Sequence, residues 1–428
     1  MNIYQEFVNQ YDYDIRKTKN ARWIDQKCTF DVLSLVADCI VEYCKNNNQF
    51  TIRDIWYSDY AVNNVIEIFS KPDPKSKSKN EYDKYFSQPI KLLEYSKILG
   101  SKKINNKNYY YINNLEILKN IAFRETQAVE FLYVYIVKVL KDSDLWKEFE
   151  NFYTLQNKDS FINLKTKFID FTITNTAINN KRECSRIFTK VINPISYKLK
   201  KLGTKRGFLS NNAITLSDLR YNNFNFRDLK TQKAKSLSRK EYEVELIQRM
   251  NAYTKYSIQK AKRLVKEYNE KFHNSLSEIN INNIEPSINN IKATQAHHIF
   301  SESEFQEIAN YLENLIVLTP DQHFLMAHPK NHTHYVDKDF QYICLLAKIN
   351  TLINDLIFNN ENKTYSFENF KKVLNVGLNT NEFQNIDELD FLTVIQKIDD
   401  IYGESKQNQY DNLKQLIIKN ILNKLSNK

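Results

Sequence analysis

The sequence predicts a mainly α-helical protein that carries small α+β modules. Glycine and proline are scarce, five and seven in 428 residues, which favours long helices joined by polar loops. Apolar residues recur at helical spacing along most of the chain. Short β-prone runs interrupt this pattern at residues 97–114 and again at residues 296–323. A chain of this length favours two to four domains.

Residues 1–120 form the first predicted module. Its elements, in order, are a helix at 30–44, a strand running into a second helix at 49–56, a third helix at 61–69, a helical pattern at 81–99 interrupted at Pro89, and a hairpin at 97–114 turning at Asn105–Asn108. Helices followed by a basic hairpin are typical of a winged helix-turn-helix, which reads DNA with one helix and its wing. We therefore expect a winged-helix-like DNA-recognition module; a winged helix that contacts only proteins is the alternative.

Positive charge is concentrated in two segments. The formal net charge is +10, yet residues 181–240 alone hold sixteen Lys or Arg against three acids, a local +13. Residues 71–107 hold ten lysines against four acids. Such segments suit a polyanion because each cation set against a phosphate releases counterions, and a solvated basic face is the alternative. The expected DNA contacts are Lys84, Lys91, Lys102, Lys103, Lys107, Lys200, Lys201, Lys205 and Arg206.

Residues 121–280 are predicted to be a helical, basic region that binds DNA or links parts of the chain. The charged run at 239–270 is either a tether or an ordinary amphipathic helix. Residues 341–428 are predicted to be C-terminal helices that pack on the preceding domain. Four aromatic residues among the charges of 181–240 either stack on bases or fill a core, namely Phe208, Tyr221, Phe224 and Phe226.

Other features exclude several classes of protein. The five cysteines form no CxxC pair and no spaced framework, which argues against a zinc ribbon or a disulfide scaffold. Without an apolar leader or about eighteen consecutive apolar residues, the protein is expected to be soluble, cytoplasmic and not bound to membranes. "NPISY" at 193–197 is similar to an amino-methyltransferase motif but lacks its second proline, and no Gly-rich cofactor loop exists, so methyltransferase activity is rejected.

Six of the seven histidines lie within residues 294–334, and the seventh is His273. "AHHIF" ends a β-prone segment with His297 and His298, and "ENLIVLTPDQH" adds Asn314, an apolar strand and His323. The pattern predicts two strands under a helix that begins near Pro320. Adjacent strand residues point to opposite faces, so the paired histidines cannot share one core, but they can flank one phosphate where the strand ends.

This pattern resembles the HNH nucleases, which have the ββα-metal fold, and places the nuclease motif at residues 285–340. The resemblance implies that His297 and His323 bind a divalent metal, that His298 is the general base, and that Asn314 holds the loop carrying the base. Mg²⁺ is the expected ion, with Mn²⁺ as the alternative. Histidine suits the role of general base, because a neutral imidazole of pKa about 6.5 accepts a proton from water at neutral pH.

The sequence departs from the family pattern at three places. Thr319 and Gln322 stand where many members carry zinc-binding cysteines, so no structural zinc is expected. Ala327 occupies the position four residues after His323 where a third ligand often lies, which makes His328 a doubtful ligand. The two remaining residues of the stretch, His332 and His334, are expected on a loop or at the surface.

Three further segments are similar to type IIS restriction endonucleases of the MboII-like group: "RWIDQKCTFDVLSLVADCI", "NEYDKYFSQPIKLL" and "RIFTKVINPISY". The resemblance implies an enzyme that cleaves double-stranded DNA near an asymmetric site and leaves 5′-phosphate and 3′-hydroxyl ends. We expect a monomer that dimerises transiently on DNA, with a cognate methyltransferase as a separate protein. The alternatives are a homing or mobile-element HNH endonuclease, and a DNA-binding regulator with an inactive nuclease domain.

Overall fold

Helices dominate the part of the chain that the structure describes, with three small two-stranded sheets, which confirms the predicted mainly α class. The computed structural model describes residues 3–69, 79–221, 239–280, 291–328, 336–359, 363–402 and 411–426. The chain divides into two compact units, Met1–Met250 and Asn251–Lys428. Four residues considered above lie outside the described residues, namely Phe224, Phe226, His332 and His334. No helix in the described ranges is both long and apolar enough to cross a bilayer.

The first unit is built around the helix Phe30–Tyr43. All residues from Phe30 to Ile40 are buried, because neighbouring helices cover the helix on every side. The other helices that the structure describes in this unit are Ile3–Val8, Ile15–Thr18, Ile52–Trp56, Asp59–Phe69, Lys79–Tyr95, Leu115–Phe123, Glu125–Asp142, Trp146–Leu155, Lys158–Asn175, Lys181–Leu199 and Leu216–Leu219. The helix Arg239–His273 follows and runs past the boundary of the unit.

Pro89 does not interrupt its helix, so that detail of the sequence prediction is wrong. The helix Lys79–Tyr95 runs through Pro89, although proline removes a hydrogen-bond donor from a helix interior. Its apolar neighbours are fully buried, among them Phe86, Ile90 and Leu93. Burial of these side chains offsets the local cost of the proline.

The predicted hairpin is present and is slightly tighter than expected. Strand β1 (Leu99–Ile104) pairs antiparallel with β2 (Lys107–Ile112), and Asn105 and Asn106 form the turn with φ values of 47° and 61°. Asparagine tolerates this left-handed region, which a two-residue hairpin turn requires. Asn108 belongs to β2, not to the turn. Phe50 forms an isolated bridge to Tyr110, and the short strand predicted before Ile52–Trp56 is reduced to this single bridge.

The basic residues proposed to contact DNA lie in this first unit, and all but the half-buried Lys91 are exposed. Lys200, Lys201, Lys205 and Arg206 follow the helix Lys181–Leu199, near a second hairpin that the sequence did not predict. That hairpin pairs β3 (Thr204–Lys205) with β4 (Phe208–Leu209). Phe208 is 75% exposed, whereas the Tyr221 ring packs edge-on against Tyr85, with ring centroids 6.1 Å apart.

The second unit surrounds a sheet of β5 (Gln295–His298) and β6 (Leu315–Leu318), which pair antiparallel. Its short helical turns are Gln306–Ile308, Leu312–Asn314, Gln322–Ala327 and Asn354–Phe358, and its α-helices are Lys338–Ile353, Phe367–Gly377, Phe391–Tyr402 and Asp411–Ser426. The predicted order of two strands, a helix and C-terminal helices therefore matches the structure.

A buried ion pair between Glu278 and Lys348 contacts strand β6. Glu278 accepts hydrogen bonds from the backbone N–H of Val317 at 2.9 Å and from the hydroxyl of Thr351 at 2.7 Å. The Nζ of Lys348 lies 2.7 Å from the same carboxylate and 4.8 Å from the centre of the Tyr365 ring. Both charged side chains are almost completely buried. The pair thus ties the helix Lys338–Ile353 to the sheet.

Candidate active site

Strand β5 places the two adjacent histidines. His297 stands opposite Ile316 and His298 opposite Leu315 in the antiparallel register with β6. Alternation along a strand predicts that their side chains point to different sides. Both are nonetheless buried, because helical turns cover one side and the loop after β5 covers the other.

Three imidazole rings converge on one side of the sheet. The ring of His297 lies 5.3 Å from that of His323 and 5.0 Å from that of His328, and the last two are 5.0 Å apart, between centroids. One nitrogen from each ring lies within 4.8 Å of the others, a spacing that could hold a metal ion. Among the described residues, Nε2 of His297 and Nδ1 of His323 are buried without a hydrogen-bond partner. Buried polar atoms rarely lack a hydrogen-bond partner, and a bound metal ion would give both nitrogens one.

A π-helical turn explains why His328 joins the cluster. Residues Gln322–Ala327 form a π-helix, whose hydrogen bonds join residues five apart instead of four. His323 and His328 are separated by five positions, so the wider turn brings them to the same side. The sequence left His328 in doubt because the third ligand of the resembled family often lies four residues after the second, where this chain has Ala327. π turns are rare and occur frequently at functional sites.

Thr319 and Gln322 stabilise the start of this turn. The backbone N–H of Thr319 donates to Oε1 of Gln322 at 3.1 Å, and the N–H of Gln322 donates to Oγ1 of Thr319 at 3.3 Å. Nε2 of Gln322 also donates to Asn280 at 2.9 Å. Both positions are therefore part of a hydrogen-bonded helix start.

The imidazoles of His297 and His323 are uncharged at neutral pH, because burial lowers their pKa values. Burial lowers the pKa of His297 well below its usual range, and the neighbouring rings of His328 and His323 add to the effect. Burial likewise lowers the pKa of His323 to about 4, with contributions from His328 and Lys262. A metal binds the unprotonated imidazole, so these shifts favour the form that a metal needs.

The backbone sets the orientation of the His298 ring. Its Nε2 is 2.9 Å from the carbonyl oxygen of Ala309. A carbonyl only accepts, so Nε2 carries the hydrogen. Burial, followed by the charge of Lys262, lowers the pKa of His298 to about 4. The ring is therefore neutral at pH 7, and Nδ1 keeps an available lone pair.

Asn314 positions the loop on which His298 depends. Its Oδ1 accepts from the N–H of Phe300 at 2.8 Å, and its Nδ2 donates to the carbonyls of Phe300 at 3.0 Å and Ile308 at 3.3 Å. The side chain is completely buried. It closes the loop between Phe300 and Ile308, and the next residue, Ala309, holds the His298 ring. These hydrogen bonds hold the loop in place, and the orienting role of Asn314 in catalysis stays a prediction.

Two charged residues beside His298 were not identified from the sequence. Lys262 Nζ lies 3.8 Å from Oε2 of Glu302, and the same oxygen lies 3.9 Å from Nδ1 of His298. The spacing of four residues between His298 and Glu302 is a signal visible in the sequence. The position of Lys262 depends on tertiary packing and has no such signal. The nine proposed DNA contacts belong to the unit Met1–Met250 and take no part in the histidine cluster.

No family model matches the chain, and neither the curated proteins nor the solved structures with which it was compared show a match.

Proposed function

We propose that the protein is a metal-dependent endonuclease that hydrolyses phosphodiester bonds of double-stranded DNA. The observation that carries the proposal is that strand β5 holds both His297, one of three imidazoles that converge, and the backbone-oriented His298. The β5, β6 and helical-turn order agrees with the HNH resemblance of the sequence. Asn314 supplies the loop support that the same resemblance requires.

The residues proposed to hold the metal are His297, His323 and His328. Three imidazole donors suit Zn²⁺ and bind Mn²⁺ less strongly, whereas Mg²⁺ prefers oxygen donors and keeps several waters. The expectation of Mg²⁺ from the resemblance therefore shifts toward Zn²⁺, with Mn²⁺ next, for this donor set. A bound divalent cation would supply Lewis-acid stabilisation of the negative charge that develops on the scissile phosphate.

His298 is proposed to act as the general base. Its Nδ1 takes a proton from a water molecule as the water oxygen attacks phosphorus and the bond to the 3′ oxygen breaks. The leaving oxygen takes a proton from solvent, which gives 5′-phosphate and 3′-hydroxyl ends. The hydrogen bond from Nε2 to Ala309 fixes the tautomer, so the lone pair stays on the nitrogen that reacts.

The basic first unit is proposed to select the cleavage site on DNA. Its exposed lysines and arginines would bind phosphates, while a ββα-metal motif offers few side chains to base edges. We propose a type II restriction enzyme of the type IIS kind, a monomer that pairs transiently on DNA, with a separate methyltransferase protecting the host. A homing or mobile-element endonuclease is the second candidate. An inactive regulator is disfavoured because every residue of the proposed site is present in the folded chain.

Incubation of supercoiled plasmid DNA with the full chain and single divalent cations tests this proposal. We expect nicked and then linear DNA with Mn²⁺ or Zn²⁺, weaker cleavage with Mg²⁺, and none after chelation. Mapping of the ends should show discrete positions that carry 5′-phosphate groups. Intact plasmid with every cation, under conditions where the protein is folded, would contradict the proposal.

A further inference from the structure

A lysine and a glutamate from distant parts of the sequence meet beside the base. Oε2 of Glu302 lies 3.8 Å from Nζ of Lys262 and 3.9 Å from Nδ1 of His298. One carboxylate oxygen thus stands between a cation and the nitrogen that has the lone pair. This is the place that an attacked phosphate group would have to occupy, because Nδ1 must reach the water next to it.

Lys262 is held in this place by the packing of its helix. Ile258, Ala261 and Val265 form a buried stripe on one side of Arg239–His273, at helical spacing. Lys262 lies at the edge of this stripe, with 27% of its side chain exposed.

Glu302 is held weakly. The 3.9 Å between Oε2 of Glu302 and Nδ1 of His298 is longer than a hydrogen bond, so the two groups form no direct one. Lys262 therefore provides the attraction, through an ion pair at 3.8 Å in which the glutamate side chain is 50% exposed. Exposed pairs of this kind contribute little free energy. Another anion can displace the carboxylate at small cost.

We propose that Lys262 binds a non-bridging oxygen of the scissile phosphate, and that the Glu302 carboxylate occupies the place of this phosphate in the DNA-free protein. The inference rests on the proposed nuclease function. A carboxylate and a phosphate both offer anionic oxygens to the ammonium group. Lys262 then opposes the extra negative charge of the transition state, and Glu302 competes with DNA for the same cation.

The test of Lys262 is single-turnover cleavage of a plasmid by the full-length Lys262→Met variant. The expected rate is about 100-fold below that of the wild type, the usual effect of removing one group that stabilises transition-state charge. Lys262→Arg should retain most of the rate because it keeps the cation. The matched control is Lys266→Met, which removes an exposed lysine one turn further along the same helix.

The test of Glu302 is the affinity of a DNA duplex for the chain, measured by fluorescence anisotropy in a chelating buffer. Glu302→Gln should tighten binding by up to about 5-fold, because a competing exposed ion pair is removed. Glu304→Gln removes the same charge from the same loop and is the control. Equal affinities for the two variants would overturn the role of Glu302.

If the wild type cleaves DNA and Lys262→Met cleaves it at the same rate, the role of Lys262 is overturned. The nuclease proposal would then still stand. A wild type that cleaves no DNA would overturn the proposed function and this inference with it. A rate loss in Lys262→Met no larger than in Lys266→Met would also contradict the inference.

Discussion

Replacement of His298 with alanine is expected to lower the single-turnover rate of DNA cleavage by about 10²- to 10⁴-fold, the usual contribution of a general base. DNA affinity should change little, because the base acts on water. The measurement is a rapid-quench assay with enzyme in excess over DNA, together with binding of the same duplex. His273→Phe is the matched control, since His273 is a buried histidine of the same unit outside the cluster.

Cleavage by His298→Ala at the wild-type rate would remove His298 from the mechanism. A parallel loss of DNA binding and cleavage would instead assign His298 to DNA recognition. Thermal unfolding of the variant separates either result from loss of the fold, because the hydrogen bond to Ala309 is lost in the substitution.

Lys348→Met is expected to lower the free energy of unfolding of the second unit by about 3–5 kcal/mol, because it leaves the buried Glu278 carboxylate without its cation. The effect can be followed by urea titration with two signals. All three tryptophans, Trp23, Trp56 and Trp146, lie in the first unit, so their fluorescence reports that unit alone. Circular dichroism reports both units and should show an early transition that fluorescence does not.

Two variants complete this test of the ion pair. Lys338→Met replaces an exposed lysine at the start of the same helix and should leave the urea midpoint of the second unit unchanged. Adding Glu278→Gln to Lys348→Met removes the buried charge and should restore part of the lost stability. An unaltered midpoint in Lys348→Met itself would show that the pair does not stabilise the unit.

Local patterns predicted much of the fold. The helix at 30–44 follows from its apolar periodicity, and the hairpin follows from two β-prone runs around Asn105 and Asn106. The strand pair that bears His297 and His298 was predicted in the same way. These signals depend on residues that are close in sequence, which is why they can be recognised without tertiary information.

The remaining features depend on contacts between distant residues. Burial around Pro89 lets a helix continue where the local rule predicts a break. The π turn that brings His328 to His323 differs from an α turn by one residue, and spacing alone favours the α-helix. Lys262 and Lys348 reach their carboxylate partners only after the helices pack. A charged residue gives no local sign of such a partner.

The central claim, that the three imidazoles form a metal centre for DNA cleavage, is tested most directly by metal titration of the cleavage rate for the wild type and His328→Ala. Loss of a ligand should raise the half-saturating Mn²⁺ or Zn²⁺ concentration by at least about 10-fold. Even the loss of a residue that only hydrogen-bonds to a metal ligand weakens metal binding by about that factor. The rate at saturating metal should recover in part. An unchanged half-saturating concentration, with the variant folded and active, would contradict the assignment of His328 and the three-histidine centre.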